Sequence, residues 1–378
     1  LTATAVAGVA TFNSILHTVV GSGLTLAASS TGLTLTTSTG FDIVTATTFS
    51  KGDFAVIGVN SNFFTCASAP YNADPYQSGD DEISFIVFKD IKSGDTFYIT
   101  DNGYERANAG LWGDTEGVYQ ITRTGSTIPA GTVITFRLLN NATTIAESVS
   151  PDTNWSFNKV AGFSGNIGMN TAGDQLFFMQ GGTWNNPGGT HDATYTPGTF
   201  LYGFNTNNAW QSLGNDTKKS ALPIELNCFS LTPSVATDFI EYTGPTTAAA
   251  KLDWIARLNN PSNWTNRASC AGYLRTHVGK TYTISTGGTY INGVWTGTAS
   301  KDWFDCSNWQ TLEVPDETVD VTVNTANATK NVEIFATSSK APTYGSIAKC
   351  KNLTISDKEV NLQGSANNKL EVHGNLIL

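Results

Sequence analysis

Acidic side chains gather where the alternating segments of this chain begin or end. Asp80, Asp81 and Glu82 open one such segment, Asp101 and Asn102 close another, and Asp114, Glu116 and Asp174 stand ahead of two more. Strand ends meet at the rim of a sheet, so Asp81, Asp101, Glu116 and Asp174 are candidates to converge at one end of a sandwich. Three chemistries suit such a convergence. Turn carboxylates bond nearby backbone amides. Hard oxygen ligands from adjacent loops hold Ca2+, the cofactor this pattern suggests. Two carboxylates at a suitable separation hydrolyse a glycoside. The segment Asp101-Asn102-Gly103 reads as a pure turn, because Asn-Gly suits a positive φ.

The other reactive residue types form no comparable pattern. His17, His191, His277 and His373 are scattered, with no nucleophile-base-acid arrangement and no Gly-x-Ser-x-Gly elbow. Phosphate-loop and dinucleotide glycine motifs are missing from the sequence too. The expectation is a non-catalytic chain, with glycoside hydrolysis as its rival. Trp112, Trp155, Trp184, Tyr195 and Trp210 lie in Gly/Asn-rich stretches that read as loops. Exposed, Trp112, Trp184, Tyr195 and Trp210 would stack on a carbohydrate or grip a protein ligand; turned inward, they are core.

Elements that position these residues are legible from composition and alternation. Only 14% of the 378 residues are charged, against roughly 25% in an ordinary soluble domain. Threonine and 36 glycines take up the difference, which suits many short strands joined by tight turns. A net charge of −10 argues against nucleic acid as a partner. No run of about 18 apolar residues occurs, so no membrane span is expected. Five cysteines, none in a CxxC pair or with histidine at zinc spacing, point to disulfides in an oxidising compartment.

The fold expected is all-β, in three parts. Residues 1–44 hold short strands at Val9-Ala10-Thr11-Phe12, Leu24–Ala28 and Leu33–Thr36, separated by Gly/Ser and Thr-Gly turns. Residues 45–290 form a large central β-sandwich with alternating runs near 54–59, 82–88, 96–100, 118–121, 133–136 and 175–179. One helix is expected there, starting at Pro245 and stopped by Asn259-Asn260-Pro261, with Ala248, Leu252, Ile255, Ala256 and Leu258 on one face. Residues 291–378 open on Trp295, Trp303 and Trp309, all read as core, and continue into repeating strands of a sandwich or the first coils of a β-solenoid. This last module is read as truncated at its C-terminus.

Three phrases resemble known families. "GVATF…GSGLTLAASSTGLTLTTSTGFDI" resembles the second half of a bacterial Ig-like repeat, and implies a partial Ig-like sandwich at residues 1–44. "DEISF…GDTFYITDNG…IPAGTVITF…GDQLFFM…LNNPSNW" resembles a β-domain of secreted bacterial surface proteins, with no reaction attached. "WTG…DW…C.NW…VP…DV.V…CKNLTI" resembles a module of Bacteroidota surface proteins exported by the type IX system. Together the resemblances imply an extracellular, outer membrane-attached adhesin serving attachment or gliding. Its partners would be a surface polysaccharide or other extracellular ligand, and secretion or outer-membrane anchoring proteins. A polysaccharide-degrading protein and a filament or sheath subunit are the rival classes. Cys306 and Cys350, 44 residues apart and each beside a strand or aromatic cluster, are expected to pair, and Cys228 with Cys270, leaving Cys66 odd.

Overall fold

The structure, a computed structural model, describes the chain except residues 1, 13–14, 16–18, 62–79, 109, 141–143, 171–172, 197, 208, 215–218, 336–346 and 364–367. The described residues are all-β with a single α-helix, and the chain divides into two compact units, Leu1–Thr47 and Thr48–Leu378. In the first unit Gly21–Leu24 pairs antiparallel with Phe41–Ile43, and Ala27–Ala28 with Thr36–Thr37. The strand expected at Val9–Phe12 is replaced by an isolated bridge between Val6 and Val9. Leu26, Leu33 and Leu35 stay largely exposed, so this unit buries little of its own apolar surface.

The second unit begins with two six-stranded sheets. In the first, Trp155–Lys159, Val118–Arg123, Thr96–Thr100, Gln175–Gln180, Thr199–Asn205 and Ser230–Leu231 lie side by side in that order. In the second the order is Ala146–Ser150, Val133–Leu138, Asp81–Val87, Phe54–Asn60, Phe239–Tyr242 and Trp264–Asn266. The six alternating runs of the sequence all become strands of these sheets. Between the sheets, Phe54 and Phe85 of the second meet Phe97 and Phe178 of the first at ring separations of 4.9–6.1 Å. Side-chain alternation puts Phe178 in this core and Phe177 on the outer face of its strand.

Unlike a sheet with one wet face, both central strands of the second sheet are buried at every position. The reason is a strap, residues 267–284, laid over that sheet's outer face. Arg275 reaches Glu82 with two hydrogen bonds of 3.0 and 2.5 Å, and Arg267 Nε bonds Glu241 at 2.9 Å. The strap also explains why the helix is shorter than the sequence suggests. Ala249 is held extended by a parallel bridge to Ile284 and an amide bond from Ser285, so the helix spans Lys251–Leu258, not a stretch from Pro245. It buries Trp254, Ile255 and Leu258, and Asn260 caps the next turn by accepting from the Ser262 amide.

The C-terminal strands form a parallel β-solenoid, the second of the two architectures open to this module. Val321–Asn324, Val332–Phe335 and Ile347–Cys350 make one coil. Leu353–Ser356, Val360–Gln363 and Lys369–Val372 stack on them in register, and Leu376–Ile377 begins a third. Val321, Val323, Val332, Ile334, Ala348 and Cys350 point inward at every second position. The tryptophan segment is a cap on the first coil, joined to it by parallel bridges Val294–Thr322 and Asp302–Glu333. Trp295, Trp303 and Trp309 are buried there, edge to face at 5.0 and 4.9 Å.

The disulfide pattern corrects the expected pairing. Cys228 bonds Cys306, with Cα atoms 6.0 Å apart, and Cys350 is a free, buried thiol. Cys350 points into the solenoid core, whereas Cys306 sits on a turn at the cap's rim, facing the sandwich loop that carries Cys228. Cys270 therefore does not pair with Cys228; it is in another disulfide. Cys66 lies outside the described residues.

Candidate functional site

Asp101 follows the last residue of Thr96–Thr100, and Asp174 precedes the first of Gln175–Gln180. These strands are antiparallel neighbours, so both acids stand at one end of the first sheet. Asp81 opens Asp81–Val87 in the facing sheet. A loop closes over the three. The amide of Ile167 donates to Tyr119 Oη at 2.8 Å, that of Gly168 to Asp101 Oδ2 at 2.8 Å, that of Met169 to Asp81 Oδ2 at 2.6 Å, and that of Asn170 to Asp174 Oδ2 at 3.0 Å. Four consecutive amides thus each meet a different side chain. Asp174 Oδ1 accepts from the Gln175 amide and side chain, both at 2.9 Å.

Burial is nearly complete, with Asp81 3%, Asp101 0% and Asp174 1% exposed. Burial pushes the Asp81 carboxyl well above the usual range; the Met169 amide opposes this, and the charges of Asp174, Asp80 and Asp238 reinforce it. Asp101 is pushed the same way by burial and then by Asp174 and Glu116, against the Gly168 amide. Burial likewise raises the Tyr119 phenol, with Asp101 adding to it. Glu116 stands half-buried beside Asp101. Asp101 Oδ1, inaccessible to solvent, accepts no hydrogen bond. Among the described residues, no three carboxylate, imidazole or thiolate groups form a ready metal-holding set. Asp238, at the start of Phe239–Tyr242, escaped the sequence reading although it shares the strand-end signal.

Asp101-Asn102-Gly103 is not a simple turn. Neither Asn102 nor Gly103 has a positive φ. The Asn102 side chain donates to Thr100 Oγ1 at 3.0 Å and the Gly117 carbonyl at 3.3 Å, and accepts from the Glu116 amide at 3.2 Å. Asn102 therefore ties two strand ends together beneath Asp101. The loop over the cluster leaves no room for a sugar ring to reach Asp81, Asp101 or Asp174 in this conformation.

Trp112, Trp184 and Tyr195 are packed, not presented, and Trp210 is half-buried. Trp112, Trp184 and Tyr195 are 1%, 6% and 7% exposed. The hairpin of Thr183–Asn185 and Thr194–Thr196 sets Trp184 opposite Tyr195 and folds both onto the outer face of the first sheet. There Trp112 contacts Trp184 and Phe177, each at 5.2 Å, and Trp210 contacts Phe177 at 5.5 Å. Trp155 packs between Phe97, Phe136 and Arg123. Gly/Asn-rich flanks suggested loops; the paired strands between them are too short to show in composition.

The histidines also separate. His191 pairs with the buried Glu105, His373 stands near Glu371 at 3.6 Å on the solenoid, and His277 is buried in the strap. His17 lies outside the described residues. A further cluster, unread in the sequence, joins sandwich to solenoid: Cys228–Cys306, the Lys51–Glu313 ion pair, Lys51 over the Phe229 ring at 5.7 Å, and Leu312 packed into the sandwich core. In comparisons with known proteins, no family model, no curated protein and no solved structure matches the chain. No helix of the described residues is long and apolar enough to cross a membrane.

Proposed function

We propose that the chain is a non-catalytic part of a cell-surface adhesin of the kind exported by the type IX system of Bacteroidota, serving attachment or gliding. In this reading Thr48–Leu378 is a mechanical element, and its ligands are a surface polysaccharide or another extracellular molecule. The observation that carries the reading is the Cys228–Cys306 bond across the sandwich–solenoid junction. Two packed modules under tension part first at their interface, and a covalent bond there passes the load on to the modules. Disulfides persist in oxidising compartments, which supports a place outside the cytosol. The residues "WTG…DW…C.NW" and "CKNLTI" supply the likeness to type IX surface modules.

Antibodies against Thr48–Leu378 are expected to label intact cells of the producing bacterium. Deleting the coding region is expected to release cells from a glycan-coated surface at lower shear, or to stop gliding. Labelling only after lysis, or unchanged attachment and gliding, would overturn the proposal.

A further inference from the structure

We propose that Asp81, Asp101 and Asp174, with Glu116 beside them, bind a hard divalent cation, Ca2+ by their chemistry, at the end of the sandwich. Three buried acids elsewhere in the fold each meet a cation. Glu82 meets Arg275, Glu241 meets Arg267, and Asp53 meets Lys251 at 2.7 Å. At the sandwich end, by contrast, the charges acting on Asp81 and Asp101 come from other carboxylates. Like charges gathered in a buried site repel unless something positive joins them.

The independent observation is Asp101 Oδ1. It is fully buried, takes no hydrogen bond, and belongs to the carboxyl acted on by both Asp174 and Glu116. A buried acceptor left so carries a penalty that a ligand removes. One proton neutralises a single carboxylate of the three, whereas one divalent ion neutralises two and accepts oxygens from all. Among the described residues no three such side chains stand ready to hold an ion, so binding must draw the carboxylates of Asp81, Asp101 and Asp174 together. Calcium suits this, because it takes six to eight oxygens and accepts backbone carbonyls and water in irregular geometry. The absence of imidazole or thiolate from the set disfavours zinc and copper.

Tyr119 supplies a built-in reporter, since its phenol holds the Ile167 amide one residue before Gly168. Terbium, a luminescent stand-in for Ca2+, is added to the whole chain after chelator treatment, with excitation at the tyrosine band. Sensitised emission is expected, displaced by Ca2+ and weakened in Tyr119→Phe. Calcium at a hundredfold excess over its Kd should raise the melting midpoint by roughly 5 °C over chelator. Asp101→Asn, which keeps an acceptor for Gly168, should abolish emission and calcium shift together, and should melt no lower than the parent in chelator. If that variant does not fold, Glu116→Gln at its half-buried position should weaken terbium binding roughly tenfold. No emission with an unchanged midpoint would overturn the proposal and leave a shared proton as the occupant. Emission and calcium shift that survive Asp101→Asn undiminished would also overturn it, placing the ion elsewhere.

Discussion

Asn308 in the solenoid cap and Asp101 at the sandwich end are both polar, both at the end of a β-structure, and both 0% exposed. Their hydrogen bonding differs completely. Asn308 Oδ1 accepts from the Ala299 and Ser300 amides at 3.0 and 2.8 Å, and its Nδ2 donates to Ser300 Oγ and the Asp302 carbonyl at 2.8 and 2.9 Å. Each of its side-chain atoms is satisfied by the loop it organises, so its role is complete within the chain. Asp101 uses one oxygen on a loop amide and leaves the other bare. Burial alone therefore does not separate the two; what sets Asp101 apart is an unanswered acceptor among neighbouring carboxylates.

The sharpest way to break this contrast is Asn308→Ala. It takes the acceptor from the Ala299 and Ser300 amides, while the Asp302 carbonyl keeps the Asp305 amide; each amide left without a partner costs about 1–3 kcal/mol, and the lost side-chain packing adds to this. A loss of roughly 4–5 kcal/mol is expected in denaturant unfolding, the same in calcium and in chelator. A loss under 1 kcal/mol would show that water replaces the asparagine and that the cap is not organised by it.

The junction tests how far the two modules depend on each other. The Cys228–Cys306 bond closes a loop of 78 residues by sequence separation, and in the chain-entropy model that contributes about 4.5 kcal/mol. Cys306→Ser should bring this loss and split a single unfolding transition into two. Asn308→Ala combined with it should then affect only the solenoid's transition. One transition at an unchanged midpoint would mean that Leu312 and the Lys51–Glu313 pair hold the junction unaided. The free Cys350 offers a control: burial, with Asp320 adding to it, pushes its thiol up to about 11. Iodoacetamide at pH 8 should label it only after denaturation, as read by mass, and labelling of the native chain would contradict its place in the solenoid core.

How much of this could be read from residues alone depends on range. The strands were legible because apolar residues alternate at period two, and the strand-end position of Asp81, Asp101 and Asp174 followed from that. Their shared roof did not, since nothing local to residues 166–170 announces that its amides face three acids from other strands. Trp295, Trp303 and Trp309 read as core because three such rings lie within 15 positions. Trp184 and Tyr195 misled because flanking glycines resemble a loop while the pairing that buries them is a tertiary event. Disulfide partners were illegible for the same reason: Cys306 and Cys350 share a module, but inward alternation turns one thiol to the core and leaves the other at the rim.

The smallest effect concerns a third buried polar group, His277, and it sharpens the same comparison. Its ring lies over Gly58, where an added Cβ would sit 2.3 Å from it, and Tyr273 Oη is 3.5 Å from its Nε2. Nδ1 is buried without a hydrogen bond. Burial, and then the Arg275 charge, depress the imidazolium to about 3 from 6.5. The unfolded chain therefore binds this proton first as pH falls. Stability associated with the neutral ring is fully present above about pH 6.5 and is lost progressively toward pH 3. At about 1.4 kcal/mol per pH unit within that window, the loss between pH 7 and pH 5 is about 2 kcal/mol. Raised carboxyls at the sandwich end act in the opposite sense, so the quantity to measure is the difference between the parent and His277→Gln in urea melts across pH 8 to 4. That difference should narrow steadily as pH falls, because the glutamine has no proton to gain. A difference constant with pH would mean that the ring is hydrated or partnered in solution, and that His277, like Asn308, is satisfied within the fold.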